Sequence, residues 1–311
     1  MNGIASIGEC MLELSGGEGG NWRMGHAGDT FNTLWTIRAL TAAQVATDYV
    51  TAFGDDPFSK HQIAFFRQHG IGTAASPVIP GACPGMYAIS LNGAERSFTY
   101  WRSEAAARRL ADDPAALVKS LRNRGLIYFS GITLAILKEE ARATLISAIR
   151  EAREAGSRIA FDPNYRARLW SSKDAAQEAI SAALKVTDIA LPTFPDESDL
   201  FGDADPQTTA ERLGKAGVSE IAVKDGEKPA FVRHANGSMA IPAIHVSDPV
   251  DTTGAGDSFN GAYLAARLAG IDPEQAAAKA HRVAASVVLV RGALAPFELL
   301  QQAFEEYRFP G

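Results

Sequence analysis

The chain is poor in cysteine, nearly balanced in charge and free of long apolar runs, and each shortage removes a class of protein. Two cysteines, Cys10 and Cys83, occur in 311 residues. They are too few for a disulfide framework and match no zinc spacing, so two free thiols in a reducing compartment are expected. With 30 basic and 36 acidic side chains the formal net charge is −6, which argues against a protein that binds nucleic acid by neutralising phosphates. No apolar stretch approaches the roughly 18 residues of a membrane helix, so no membrane partner is expected. The segment Met1–Cys10 has neither the basic nor the long apolar region of a secretory signal. Low-complexity tracts, charge blocks and internal repeats are missing. So are two nucleotide fingerprints: Gly214-Lys215 is followed by Ala216 rather than Ser or Thr, and no G-x-G-x-x-G links a strand to a helix. The six histidines show no zinc-like pairing, and His61 and His69 are expected on the surface of one helix.

What is present is an ordinary globular composition, 46% apolar and 21% charged, with the profile of a soluble cytoplasmic enzyme. Short apolar runs alternate with helical periodicity. Strands are expected at Ile4–Gly8, Val45–Phe53, Leu126–Ser130, Arg158–Asp162, Asp188–Leu191 and Glu220–Lys224. Helices are expected at Thr30–Leu40 (capped by Asp29 or Thr30), Pro57–His69, Leu137–Glu154, Ala175–Lys185 and Thr208–Gly217. Such alternation predicts an α/β fold, a mainly parallel sheet with helices on both faces. Met86–Leu91 and Arg96–Arg102 around Asn92-Gly93 read as a β-hairpin. Period two puts Arg96, Phe98, Tyr100 and Arg102 on one face, and Tyr87, Ile89 and Leu91 on one face of the partner strand. Met11–Met24, with Gly16-Gly17 and Gly19-Gly20, predicts a second strand pair. Together they suggest a small sheet acting as a lid over a cleft.

The most informative stretch is Asp251-Thr252-Thr253-Gly254-Ala255-Gly256-Asp257, which follows a strand-like His245–Val250 and opens a helix through Leu268. Glycines permit close approach of a ligand, and the first N–H groups of a helix lack intrahelical acceptors. That suits a phosphate or a developing oxyanion. Asp257 falls in the first helical turn, where a carboxylate can take a hydroxyl proton beside those N–H groups.

This stretch resembles the C-terminal signature of the ribokinase-like (PfkB) carbohydrate kinases. The resemblance runs along nearly the whole chain: Ile7–Leu14, Gly28-Asp29-Thr30-Phe31-Asn32, Val50–Ser59, Tyr100-Trp101-Arg102, Ser130-Gly131-Ile132 and Asp162–Trp170. Within the family, Gly8–Leu14 and Asn164–Trp170 are most similar to the 2-keto-3-deoxygluconate kinases. The resemblance implies a single catalytic domain over 1–311, with the lid formed from about 11–24 and 86–102. It also implies transfer of the γ-phosphoryl of Mg·ATP to the terminal hydroxyl of a sugar acid. Other sugars or sugar acids (2-keto-3-deoxygalactonate, fructose, ribose) and a non-catalytic sugar-acid sensor stay as alternatives.

By the same resemblance, Asp257 is the expected base, with the N–H groups of Gly254, Ala255, Gly256 and Asp257 as anion hole. Asp251 is expected near a substrate hydroxyl. Arg102 and Arg166 are expected on the substrate carboxylate, since a guanidinium pairs with it bidentately. Tyr87 and Tyr100 would wall the sugar, and Gly28, Asp29 and Asn32 would meet its hydroxyls. Lys224-Asp225-Gly226 resembles the turn on the ATP side, with Asn164 and Thr193 near the phosphates. Many relatives carry Asn-x-x-Glu where this chain has Thr193-Phe194-Pro195-Asp196, so Mg2+ is assigned to Asp196 or Glu197. A monovalent cation beside Mg2+ is left open. Lids in this family often meet a partner's lid, so a homo-oligomer is expected.

Overall fold

The computed structural model describes residues 3–16, 20–92 and 95–305, so Gly17, Gly19 and Gly93 of the expected turns lie outside the described residues. The strands are β1 (Gly3–Ile7), β2 (Met11–Gly16), β3 (Trp22–Ala27), β4 (Thr47–Val50), β5 (Phe53–Gly54), β6 (Val78–Ile79), β7 (Met86–Asn92), β8 (Glu95–Trp101), β9 (Arg124–Ser130), β10 (Arg158–Asp162), β11 (Ile189–Ala190), β12 (Glu220–Asp225), β13 (Lys228–His234) and β14 (Gly237–Ile241). The helices are α1 (Asp29–Leu40), α2 (Pro57–Gln68), α3 (Pro114–Leu121), α4 (Gly131–Ile136), α5 (Glu139–Glu154), α6 (Lys173–Leu184), α7 (Phe194–Phe201), α8 (Pro206–Lys215), α9 (Ala255–Leu268), α10 (Pro273–Val287) and α11 (Phe297–Glu305).

The large sheet runs β14-β13-β12-β11-β10-β9-β1-β4. From β12 to β4 all pairs are parallel, and β13 and β14 add an antiparallel edge. Alternation along each strand sends neighbours to opposite faces. Ile127, Phe129, Ile159, Phe161, Ile221 and Val223 enter one core with residues of α3 to α8. Leu126, Tyr128, Ala160 and Ala222 enter the other, with α1, α9, α10 and α11. Both faces are therefore dry, which is why the strands read as continuous apolar runs. The expected α/β fold with a separate small sheet is what the chain adopts: β3-β2-β7-β8 form a four-stranded sheet. Its register sets Tyr87 opposite Tyr100 and Ile89 opposite Phe98, in line with the expected faces. Arg102 falls just past the end of β8.

Several expectations are corrected. Val45–Phe53 is not one strand, because β4 ends at Val50 and Phe53 pairs with Val78 in a separate two-stranded sheet. Leu137–Glu154 is not one helix. Ser130 caps α4 with a reciprocal Ser130–Thr133 box, and the chain is extended at Leu137 and Lys138 before α5. The region His245–Val250 forms no strand; Pro249 lies within it and Pro242 shortly before it, and neither can donate to a ladder. The hairpin β13–β14 was not anticipated, although Asn236-Gly237 carries the same turn signal as Asn92-Gly93. His69 is not simply a surface residue: its ring packs 4.7 Å from Trp35 and 4.6 Å from Phe65.

Candidate active site

The carboxyl ends of β1, β9, β10 and β12 face the N-termini of α1 and α9, the position where open α/β sheets bind ligands. Gly254 is the N-cap of α9 at φ 77, a left-handed conformation that glycine adopts without strain. The Ala255 N–H already bonds the Thr252 carbonyl at 3.3 Å. That leaves the N–H groups of Gly254, Gly256 and Asp257 without a backbone acceptor among the described residues, three of the four expected. A side chain at Gly256 would meet nothing within 4 Å, so the approach is open.

Asp257 is half-buried in the first turn of α9. Asn32 Nδ2 donates to its Oδ2 at 2.8 Å, and Thr33 Oγ1 donates to its carbonyl at 3.1 Å. Loss of water and the nearby Asp29 raise its carboxyl pKa, opposed by the Asn32 bond, to about 7. Asn32 was expected on sugar hydroxyls, but its amide is taken at both ends: Oδ1 accepts the Gly28 N–H at 3.3 Å. Asp29 was considered as a cap. Gly28 holds that place and Asp29 is the first helical residue. Gly28 is required for space, since a Cβ there would collide with the Glu9 carbonyl oxygen. Asp29 Oδ2 accepts from Asn164 Nδ2 at 2.8 Å, and burial shifts its carboxyl upward in pKa.

A cavity of about 120 Å³ opens beside these groups, lined by Glu9, Gly28, Asp29, Tyr100, Arg102, Ile132, Arg166, Arg168 and others. That is room for several waters between polar side chains. Tyr100, Arg102, Arg166, Gly28 and Asp29 thus converge as expected. Tyr87 is outside the lining. Its ring stacks on Tyr100 at 5.6 Å, and its hydroxyl donates to Glu13 Oε2. Asp251 is also absent from the lining: its carboxylate accepts the N–H groups of Thr253 and Gly292, both at 3.0 Å, and so ties a turn together.

Arg102 pairs with Glu9, and Arg166 pairs with Asp196 at 3.0 Å. Sequence reasoning missed Glu9, Arg168, Asp162 and Asn260 as parts of the site. Arg168 lay within a quoted motif, but nothing local shows that its guanidinium stands over Tyr100, 4.1 Å from the ring centroid.

The residues expected around ATP divide. Lys224, expected on the ATP side, has its Nζ bonded to Asp162 Oδ2 at 2.8 Å and Asn260 Oδ1 at 2.7 Å in a buried network. A buried ammonium takes such partners because isolation there is costly. Asn164, at φ 34, is committed to Asp29. Thr193 caps α7 through its backbone and bridges Lys224. Asp225 and Gly226, at φ 59, form the turn after β12, with Asp225 beside Lys228 at 3.2 Å.

Of the two acids assigned to Mg2+, Glu197 does not fit. It is buried, pushed up to about 7 by loss of water, and held by Arg212 at 2.6 Å. Asp196 is nearer the surface and fits as a single carboxylate. Among the described residues no group of three or more His, Cys, Asp or Glu side chains could hold a metal by itself. A Mg2+ that keeps several waters and binds phosphate oxygens needs no more than one such ligand. Among the described residues no helix is long and apolar enough to cross a membrane.

Residues 1–299 match the model of the pfkB family carbohydrate kinases. The chain is 40% identical over 304 residues to a 2-dehydro-3-deoxygluconokinase of Escherichia coli (strain K12), covering 96% of this chain and 98% of that protein. It is 39% identical over 304 residues to the protein of that name from Dickeya dadantii (strain 3937), covering 96% and 98%. A candidate ribokinase II of E. coli, solved with ATP and Mg2+, superposes with a TM-score of 0.84 at 23% identity, covering 99% of this chain and 100% of that one, which shows the fold. The chain therefore belongs to the pfkB family of carbohydrate kinases, phosphotransferases with an alcohol group as acceptor.

Proposed function

We propose that the protein uses ATP to phosphorylate the terminal hydroxyl of 2-keto-3-deoxygluconate, giving 2-keto-3-deoxy-6-phosphogluconate and ADP. The observation that carries this reading is the adjacency, through Asp29, of two features. One is a carboxylate at the start of α9, beside free N–H groups; the other is a cleft with several guanidinium groups. The names of the 40% and 39% identical relatives support the same substrate, 2-keto-3-deoxygluconate being another name for 2-dehydro-3-deoxygluconate.

Asp257 Oδ2 is held by Asn32, which leaves Oδ1 to accept the substrate hydroxyl. In a loose phosphoryl-transfer transition state the proton leaves late, so orientation counts for more than basicity. A carboxyl near neutrality is still a better matched acceptor than an ordinary aspartate. The N–H groups of Gly256 and Asp257, with the positive end of the helix, act on the transferring phosphoryl. Asp162, Asn260 and Lys224 form a rigid floor under Asp29 and Asp257. Thr193 and the Asp225-Gly226 turn border the nucleotide side. Mg2+ bound with ATP would neutralise charge on the phosphate oxygens, with Asp196 as its protein-side partner. The four-stranded sheet serves as the lid of one catalytic domain spanning the chain, its Tyr100 forming the wall over the sugar.

The test is ATP-dependent phosphorylation of 2-keto-3-deoxygluconate, its galacto epimer, gluconate, fructose, ribose and adenosine. Turnover confined to the keto-deoxy acids is expected. Turnover on a neutral sugar would keep Asp257 and remove the carboxylate from the reading. Binding of the acid without turnover would leave a sensor.

A further inference from the structure

The Lys224 ammonium, near the end of β12, is the branch point of a buried polar network with two arms. One arm runs toward the sugar cleft. Lys224 Nζ donates to Asp162 Oδ2 at 2.8 Å, Asp162 Oδ1 accepts the Asn164 N–H at 3.0 Å, and Asn164 Nδ2 donates to Asp29 Oδ2 at 2.8 Å. The other arm runs to the helix that carries Asp257. Lys224 Nζ donates to Asn260 Oδ1 at 2.7 Å, and Asn260 lies about one turn beyond Asp257 on α9. Asn260 Nδ2 closes the branch by donating to Asp162 Oδ2 at 2.7 Å. Lys224, Asp162 and Asn260 are only 6%, 3% and 0% exposed, so bulk water does not weaken these charge-assisted bonds. A buried ammonium and carboxylate gain little stability over well-packed apolar side chains, so stability alone does not account for the pair. The charges around Asp257 supply another reason. It is faced by Asp29 and Asn32 of α1, Tyr128 of β9, Asp162 of β10 and Lys224 of β12. Lys224 is the cation of that set, and the transferring phosphoryl brings further negative charge.

We propose that Lys224 is a positioning residue for phosphoryl transfer: one ammonium fixes Asp29 and Asp257 relative to each other through its two arms, and its charge favours the ionised base among the neighbouring carboxyls. This rests on the reading of Asp257 as the base of a kinase. The motif Lys224-Asp225-Gly226 then divides its work, the turn bordering the nucleotide side and the lysine serving the base from beneath.

The experiment compares the wild-type enzyme with Lys224→Met and Lys224→Arg in phosphorylation of 2-keto-3-deoxygluconate across pH. Lys224→Met is expected to lower kcat by roughly tenfold or more, as for a misplaced reacting group, with the KM for ATP within about twofold. The acid limb of its kcat profile should move up by about half to one pH unit, because a cation that favoured the carboxylate is gone. Lys224→Arg keeps the charge and offers donors to both acceptors, so it should recover part of kcat and hold the limb at the wild-type position. A merely structural residue would lower the yield and melting temperature of the enzyme and leave the limb where it is. Should Lys224→Met fail to fold with Asp162 unpaired, the double variant Asp162→Asn, Lys224→Met leaves neither charge behind. Its kcat should also fall by roughly tenfold. With the wild type active, three results each overturn this proposal alone: a wild-type kcat in the charge-free variants, a limb in folded Lys224→Met that stays put or moves down, or a loss confined to the KM for ATP. A wild type inactive on every compound of the panel, or an active Asp257→Asn, overturns the kinase reading or the base, and the proposal with it.

Discussion

Asp257 carries opposing influences on one proton. Loss of water and Asp29 raise its affinity, and the Asn32 amide lowers it, with a balance near 7. The ionised form is the one that accepts a hydroxyl proton, so kcat should fall as pH drops through about 7 and level off above it. Replacing Asn32 by Leu removes the bond that favours the ionised form, and the acid limb should move up by about half to one pH unit. A pH–rate profile from 5.5 to 9 reads this; a limb that stays put or moves down removes Asn32 as the tuning group. Asp257→Asn should abolish turnover while calorimetry still detects sugar-acid binding, and near-normal turnover would exclude Asp257 as the base. The carboxylate was legible in the sequence because its turn and helix are contiguous. Its partner Asn32 was legible only as a member of a motif, because the bond joins residues 225 positions apart. The same holds for Glu9 and Arg102, which are 93 positions apart. Local patterns identify the chemistry of a residue, but not which distant charge has already been neutralised.

At the scale of elements, α7 and α8 meet through an uneven triad. Arg212 donates to Asp203 at 3.0 and 2.6 Å and shares the same Nη2 with Glu197 at 2.6 Å. Glu197 keeps a buried Oε1 without a partner, and its pKa in the folded chain is raised to about 7. For a raised carboxyl pKa the folded state binds the proton more tightly than the unfolded state does. Stability is therefore fully present below the unfolded value near 4.5 and is lost as pH rises toward 7. Glu197→Gln removes that penalty, and Asp203 still neutralises Arg212. The variant should match the wild type at pH 4.5 and exceed it at pH 8 by up to about 3 kcal/mol. Urea unfolding at the two pH values decides, and a variant less stable at pH 8 would mean that the Glu197 charge is needed. Elements themselves were legible where capping and apolar runs agreed, as in β10, α2 and α9. They failed where side-chain pattern and backbone chemistry conflict. Leu137 continues the apolar periodicity of α5 but lies in extended chain between α5 and the separate, Ser130-capped α4. His245–Val250 looks strand-like but contains Pro249, with Pro242 shortly before it.

For the molecule as a whole, the large sheet is covered on both faces, but the small sheet has one face left over. Its inner face holds Met11, Tyr87, Ile89 and Tyr100, which pack together with Ala293 near the start of α9. The register places Leu14 opposite Met24 on one side and Met86 opposite Trp101 on the other, on the reverse face. There Trp22, Met24 and Trp101 are 46%, 42% and 53% exposed. Large aromatic side chains left in water at one end of a chain whose remaining core is dry mark a surface that is covered by association. The resemblance to a family whose lids often meet supplies the occupant, a second copy. We therefore expect a homodimer through the reverse faces of the small sheets, with the lid held over the cleft by its partner. Light scattering at about 10 µM should give twice the chain mass for the wild type. Trp101→Glu places a charge in the centre of the apolar patch and should give monomers with the fold retained, since Trp101 contributes to neither core. If the lid is braced by the partner, these monomers should also show a raised KM for the sugar acid with little change in the KM for ATP. A monomeric wild type, or a Trp101→Glu dimer indistinguishable from it, would mean that the exposed tryptophans serve some purpose other than self-association.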